Sequence, residues 1–164
     1  MIKTITILSA LAALTFVSFN YPPQKAESIT IEVSAPEPTF KEVLASSTLP
    51  VRREMIRVKV AEFTKKYKIE NRTEQIYKTI ASCENIPLDS NLQSGHRYKY
   101  DSVRWNVKAG EQEKSFGLSQ IHLPDHPDIS YEEATDPLFS IEWMVKEFSL
   151  GHASQWTCYT SLYE

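Results

Sequence analysis

Glu84 ends an apolar-faced helical run from Thr73 to Cys83, and further along the chain reads Ser115-Phe116-Gly117-Leu118-Ser119-Gln120-Ile121. A carboxyl group at a helix end, followed by a small polar turn containing glycine, suits general-acid chemistry on a sugar polymer. Breaking a glycosidic bond requires a proton on the departing oxygen. A carboxylic acid supplies it near neutral pH only where burial raises its pKa. Ile76, Ile80 and Ala81 precede Glu84 and offer that desolvation. A helix C-terminus also disfavours negative charge and pushes the same way. By position alone, Glu84 is one of seventeen acids between Val51 and Glu164, and the plain alternative is a solvated surface charge.

A second carboxylate would decide the type of reaction. Asp101 is the foremost candidate. At about 5 Å from Glu84 it would suit a retaining hydrolase, and at roughly 6.5–9.5 Å an inverting one. Its alternative is a turn residue after Tyr100. Glu111 and Glu113 sit in a charged loop and rank below it. His122 and His126 are four apart, but Pro124 lies between them and no His-Glu-x-x-His pattern exists. Neither a metal nor a cofactor is therefore expected.

The elements around these residues come from a chain of 164 residues, enough for one domain. Lys3 is followed by Ile5 to Phe19, fifteen residues without a charge. This matches a secretory n-region and h-region and is short of the about 20 apolar residues of a comfortable membrane span. No clean small-x-small cleavage triplet follows, so residues 1–20 read as a signal peptide or as a signal anchor. In both cases the working part is extracytoplasmic: periplasmic, secreted, or held at the outer face of the membrane. Residues 21–50 carry five of the nine prolines among Ser and Thr and read as a disordered linker. Residues 51–164 form the folded domain.

In an exported chain, Cys83 and Cys158 read first as a disulfide, worth roughly 4 kcal/mol by chain entropy for so long a loop. A free, buried Cys83 is the rival reading. Net charge is −3, yet Arg52 to Arg72 holds eight basic residues against three acids, and Asp125 to Glu164 eight acids against Lys146 alone. These faces attract each other, or the basic helix touches an anionic polymer such as a bacterial wall. No aromatic-interleaved basic motif points to nucleic acid.

Ile56, Val60, Phe63 and Tyr67 give Val51 to Lys68 a helical stripe. Asn71 and Glu74 form the pattern of a capping box for the next helix, with Ile76, Ile80 and Cys83 on one face. Pro87 ends it. Leu88 to Gly110 alternates loosely and predicts a small hairpin or irregular strand lobe. Ser115 to His122 predicts a short helix. Ser130 with Glu133 predicts a capped turn. Asp136 with Pro137 opens a last helix carrying Leu138, Ile141, Val145 and Phe148, which Gly151 stops. The fold class is α+β, mainly α, with a small β-lobe.

The pairing of Glu84 with Ser115-x-Gly117-Leu118-x-Gln120-Ile121 resembles the lytic transglycosylase and goose-type lysozyme superfamily. Supporting matches run through His122-Leu123-Pro124-Asp125-His126-Pro127-Asp128-Ile129, Ala134 and Asp136-Pro137 to Trp156-x-Cys158-Tyr159. The resemblance spans Thr73 to Tyr159. It implies a lysozyme-like fold acting on peptidoglycan glycan strands, most simply as a monomer. Glu84 takes the acid/base role, Ser115 and Gln120 line the groove, and Gly117 lets backbone approach the sugar. Many such enzymes lack a second carboxylate; their Glu then deprotonates the muramic acid C6 hydroxyl and yields a 1,6-anhydro product. Lytic transglycosylase is the leading expectation on that ground, with a hydrolytic muramidase as alternative. This chain has Asn85 where Ser is common after the Glu, and it lacks the late Ala-Tyr-Asn-Ala-Gly stretch. Tyr100, Tyr98 and Tyr159 are candidates for the missing groove tyrosine. A non-catalytic glycan-binding or envelope-assembly module of the same fold is the alternative from another class.

Overall fold

The computed structural model describes residues 36–163; the export segment and the first part of the expected linker lie outside the described residues. The compact unit begins at Pro36, earlier than the expected boundary at Val51. Thr39 is the reason. Its hydroxyl accepts the Glu42 N–H while the Glu42 carboxylate accepts the Thr39 N–H, and this capping box opens α1 (Phe40–Ser46) inside the stretch assigned to the linker. Leu44, 1% exposed, fastens α1 to the core.

The expected basic-stripe helix is α2 (Leu49–Lys66), with Pro50 in its first turn. Ile56, Val60 and Thr64 are fully buried, and Phe63 and Tyr67 flank the core. Arg52 caps α1. Its guanidinium donates to the carbonyls of Leu44 (2.9 Å), Ala45 (2.6 Å) and Ser47 (3.0 Å), and reaches Pro87 at 3.3 Å.

α3 (Thr73–Thr79) starts one residue later than the Asn71 capping box predicts, with Arg72 at the cap position. Asn71 lies in a 3₁₀ turn, Glu70–Arg72, and makes no cap. Ile69 is drawn against the core just before it, which fixes the tighter turn. The Thr73 hydroxyl then donates to the Glu70 carbonyl (2.8 Å) and shares a hydrogen bond with Thr64 (2.7 Å). At its far end α3 widens into a π turn, Ile80–Glu84, where the Asn85 N–H reaches back five residues to the Ile80 carbonyl (2.9 Å). The extra residue per turn breaks the expected Ile76–Ile80–Cys83 face. Ile76 and Ile80 are fully buried, but Cys83 is exposed.

From Asn85 to Lys114 the chain forms an irregular lobe held by isolated antiparallel bridges, Gln93 with Phe116, Arg97 with Gln112, and Ser102 with Val107. Ser115 to His122 is a hairpin, where a short helix was expected. β1 (Ser115–Phe116) pairs antiparallel with β2 (Ile121–His122). Gly117 at φ +81° and Gln120 at φ +50° turn the chain back, and neither value is compatible with a helix.

α4 (Tyr131–Ala134) is opened by the Ser130–Glu133 capping box, as expected. Asp136 caps α5 (Pro137–Ser149) by accepting the Phe139 N–H at 2.8 Å. Ile141, Met144 and Val145 are fully buried against Ile56, Val60, Ile76 and Ile80, and Phe148 nearly so. Gly151 follows at φ +86°. The opposite charges meet where α2 faces α5: both Lys66 and the Tyr67 hydroxyl donate to Glu142. α6 (Thr157–Tyr163) closes the domain, which is mainly helical with one two-stranded sheet.

Gly117 tests the packing. A Cβ there would lie 1.9 Å from the Ala134 carbonyl oxygen, in addition to the strain of its φ. Gly110 has a similar φ of +85° with open space around it. Gly110→Ala should therefore lose about 1–2 kcal/mol, the left-handed penalty alone. Gly117→Ala should lose more than about 3 kcal/mol or fail to fold. Urea unfolding of the two variants checks this, and equal losses would contradict it.

Candidate active site

The π turn sets the site. By inserting a residue at the end of α3, it turns Glu84 off the helix stripe into a half-buried position. Such bulges are concentrated at functional positions. Burial is the main influence on the Glu84 carboxyl and, with the neighbouring charge of Glu113, pushes its pKa from 4.5 up to about 7, against the backbone N–H of Cys158, which lowers it. The Cys83–Cys158 disulfide forms (S–S 2.02 Å) and holds that N–H in place across 75 residues of sequence.

Asn85 joins Glu84 to the hairpin turn. It is fully buried. Its Nδ2 donates to the Asp89 carbonyl (2.6 Å) and the Gly117 carbonyl (3.0 Å), and its Oδ1 accepts the Asp89 N–H (2.9 Å). Three further contacts hold the same turn. The Ser119 N–H donates to the Ser140 hydroxyl (3.0 Å). The Trp156 indole donates to the Ser119 carbonyl (2.8 Å). Gly117 fits against Ala134 with no room for a side chain.

The residues expected from the sequence part ways here. Ser115 is buried, and its hydroxyl donates to Glu113 Oε1 at 3.1 Å. Gly117 faces the Ala134 backbone, so its lack of a side chain serves packing. Gln120 is occupied in stabilising its own turn: its Nε2 donates to the Gly117 carbonyl (2.8 Å) and the Leu92 carbonyl (3.2 Å). Tyr159 is a core residue, 7% exposed, with its hydroxyl accepting from Arg72 (2.8 Å) and its ring edge-on to Phe148. Tyr100 stands in solvent at 80% exposure.

Tyr98 is better placed than either. Its hydroxyl accepts the Lys114 N–H (3.2 Å) and bonds His122 Nε2 (2.9 Å). Burial raises its pKa most, and the charge of Glu113 adds to this. His122 Nδ1 meets Asp125 (2.9 Å), to which the Trp105 indole also donates (2.8 Å). This network braces the irregular lobe against β2 and occupies His122, while His126 packs edge-on to Trp143.

Asp101 lies out at the lobe's edge, fully exposed. The Ala109 N–H (2.8 Å) and Lys108 (3.2 Å) bind its carboxylate and hold its pKa down. The acid whose charge raises the Glu84 pKa is Glu113. Sequence reasoning ranked Glu113 below Asp101 and noted Asn85 only as a departure from the family's Ser, giving it no structural role. For Glu113 the signal was present: Glu113 and Ser115 are two apart, so an extended backbone puts both on one face. Asn85 bonds Asp89 nearby, but its tie to the turn is made with Gly117, far along the chain, and left no local signal.

A groove of about 560 Å³ runs elsewhere, between α1 and α2, lined by Phe40, Pro50, Val51, Met55 and Val58. None of the site residues borders it.

No protein-family model matches the chain, and no curated protein or solved structure matches it significantly.

The raised pKa of Glu84 has a consequence for stability. The folded state holds this proton more tightly than the unfolded chain. Stability is therefore greatest below about pH 4.5 as far as this group is concerned, and declines as pH rises toward and through 7. The full effect is on the order of 3 kcal/mol. Glu84→Gln should flatten that decline and melt higher than the wild type at pH 8. Melting curves from pH 4 to 9 check this; parallel curves for the two proteins would count against a buried Glu84.

Proposed function

We propose that the domain cleaves the glycan strand of peptidoglycan between N-acetylmuramic acid and N-acetylglucosamine, with Glu84 as the general acid. One observation carries this reading: a desolvated carboxyl with a pKa of about 7 stands beside the Ser115–Ile121 turn, to which the clamp of Asn85 ties it. At pH 7 about half of such a group is protonated, so it can release its proton to a departing sugar oxygen. An ordinary surface glutamate would be almost wholly ionised. The likeness of Glu84 and the turn to the lysozyme-like superfamily points to the same chemistry, as does a helical domain with a small lobe beside the acid.

Export fits the same picture. The Cys83–Cys158 disulfide is suited to an oxidising compartment. The uncharged stretch Ile5 to Phe19 would carry the domain, or anchor it, outside the cytoplasmic membrane where the polymer lies. Once Glu84 has protonated the leaving oxygen, the anomeric carbon must be taken by a nucleophile. That is either the muramic C6 hydroxyl, as in a lytic transglycosylase, or water.

Glu84→Gln keeps the shape and removes the proton. Release of soluble fragments from purified sacculi should fall by about 10²–10⁴-fold. In the wild type, kcat/KM should decline as pH rises through about 7, because the acid form is lost. Equal release by Glu84→Gln, or wall binding without release by either protein, would identify a binding module instead.

A further inference from the structure

Glu113 is held more firmly than a loop carboxylate requires. Its Oε2 accepts from the Ser94 hydroxyl (3.0 Å) and its Oε1 from the Ser115 hydroxyl (3.1 Å), both serines being buried. Its backbone is fixed as well. The N–H donates to the His96 carbonyl (2.9 Å), and the carbonyl accepts from Gln93 (3.0 Å). Among the described residues no lysine, arginine or histidine forms an ion pair with it. A half-buried acid without a countercharge, close enough to a second acid to act on it electrostatically, opposes folding. Such arrangements are characteristic of catalytic sites.

The hairpin supplies the placement. Glu113 leads directly into β1, and β1 runs into the turn whose Gly117 carbonyl is bound by Asn85, the residue after Glu84. The two acids therefore come from opposite sides of one clamp, Glu84 from the helical part and Glu113 from the lobe. Each Glu113 oxygen accepts one serine hydroxyl and keeps a further lone pair for a water.

Building on the general-acid role of Glu84, we propose that Glu113 is the second catalytic carboxylate, that it activates water, and that the chain is therefore a hydrolase of the glycan strand. The proton of Glu84 goes to the glycosidic oxygen as the bond from the anomeric carbon to that oxygen breaks. A water oxygen bonds to the anomeric carbon, and its proton passes to Glu113. Glu113 then releases that proton to solvent, and Glu84 regains one from solvent. The products are two sugar ends, one of them a reducing N-acetylmuramic acid, with no 1,6-anhydro ring.

Digestion of purified sacculi in ¹⁸O-water by the full chain, with mass spectrometry of the fragments, tests this. The wild type should give reducing ends carrying one ¹⁸O. Glu113→Gln should lose at least about 10²-fold of the labelled product, and its residual product should shift to the anhydro form. Asp101→Asn should behave as the wild type. A readout independent of turnover is the ¹³C titration of the Glu84 carboxyl, whose midpoint should fall in Glu113→Gln because a neighbouring negative charge is gone. Should Glu113→Gln not fold, Ser94→Ala, which frees one Glu113 oxygen, should lower the yield of labelled product and let anhydro product appear; wild-type yield with no anhydro product there would overturn the proposal. Anhydro product alone from the wild type, or wild-type labelling by Glu113→Gln, would overturn the role of Glu113 while leaving Glu84 as the acid. Absence of strand scission by the wild type would overturn the general-acid reading and the Glu113 proposal with it.

Discussion

The carboxamide of Asn85 is the interaction on which the site depends. Its three hydrogen bonds use both ends of one fully buried side chain to join the end of α3, the start of the lobe and the hairpin turn. No sheet could perform this connection, because the lobe contributes only isolated bridges to it. Remove the amide, and the Asp89 N–H loses its partner, while the Gly117 carbonyl keeps only Gln120 and the Asp89 carbonyl only Leu92. An unmade bond of that kind typically costs about 1–3 kcal/mol. The position of Glu84 relative to the turn then has nothing direct to fix it.

The rest of the structure reads as support for that clamp. Ser119 on Ser140, Trp156 on Ser119 and Gly117 against Ala134 hold the turn to α5, α4 and the C-terminal segment. The disulfide ties that segment to the residue before Glu84. Every one of these contacts joins segments distant in sequence, so the turn is placed by the helical core and not by its own two-residue strands. The core can bear the load: Ile56, Val60, Ile76, Ile80, Ile141, Met144 and Val145 are all fully buried. A domain built this way tolerates a desolvated carboxyl whose ionisation works against folding.

What the sequence disclosed follows the range of the interactions. Local, periodic features were legible: the stripe of α2, the Ser130–Glu133 and Asp136 caps, the stop at Gly151. Features settled by competition were not. Asn71 had the pattern of a cap, but burial of Ile69 took the chain into a 3₁₀ turn first. Thr39 and Glu42 held a capping box that the surrounding prolines concealed. Ser115 to His122 carried helix-like apolar spacing, while Gly117 and Gln120 adopt left-handed conformations that only tertiary contacts could impose. Tyr159 was one of three candidates for the groove tyrosine that the resemblance implies, yet its ring suits a core once Arg72 takes its hydroxyl.

The two acids show how the same limit applies to chemistry. Glu84 could be nominated from the apolar residues just before it, although the π turn and Cys158, which set its surroundings, are not local signals. The importance of Glu113 depends on Ser94, nineteen residues earlier in the chain, and on a turn clamped from Asn85. The spacing to Ser115 marks one hydroxyl locally, but nothing near Glu113 in sequence marks the distant one that meets its other oxygen. Asp101 seemed the stronger candidate for the same reason, yet its partners Lys108 and Ala109 lie close by in sequence and it stands exposed at the lobe's edge. Glu113 is instead fixed by a serine from elsewhere in the chain, and among the described residues no cation pairs with it, so its charge acts on Glu84 unneutralised.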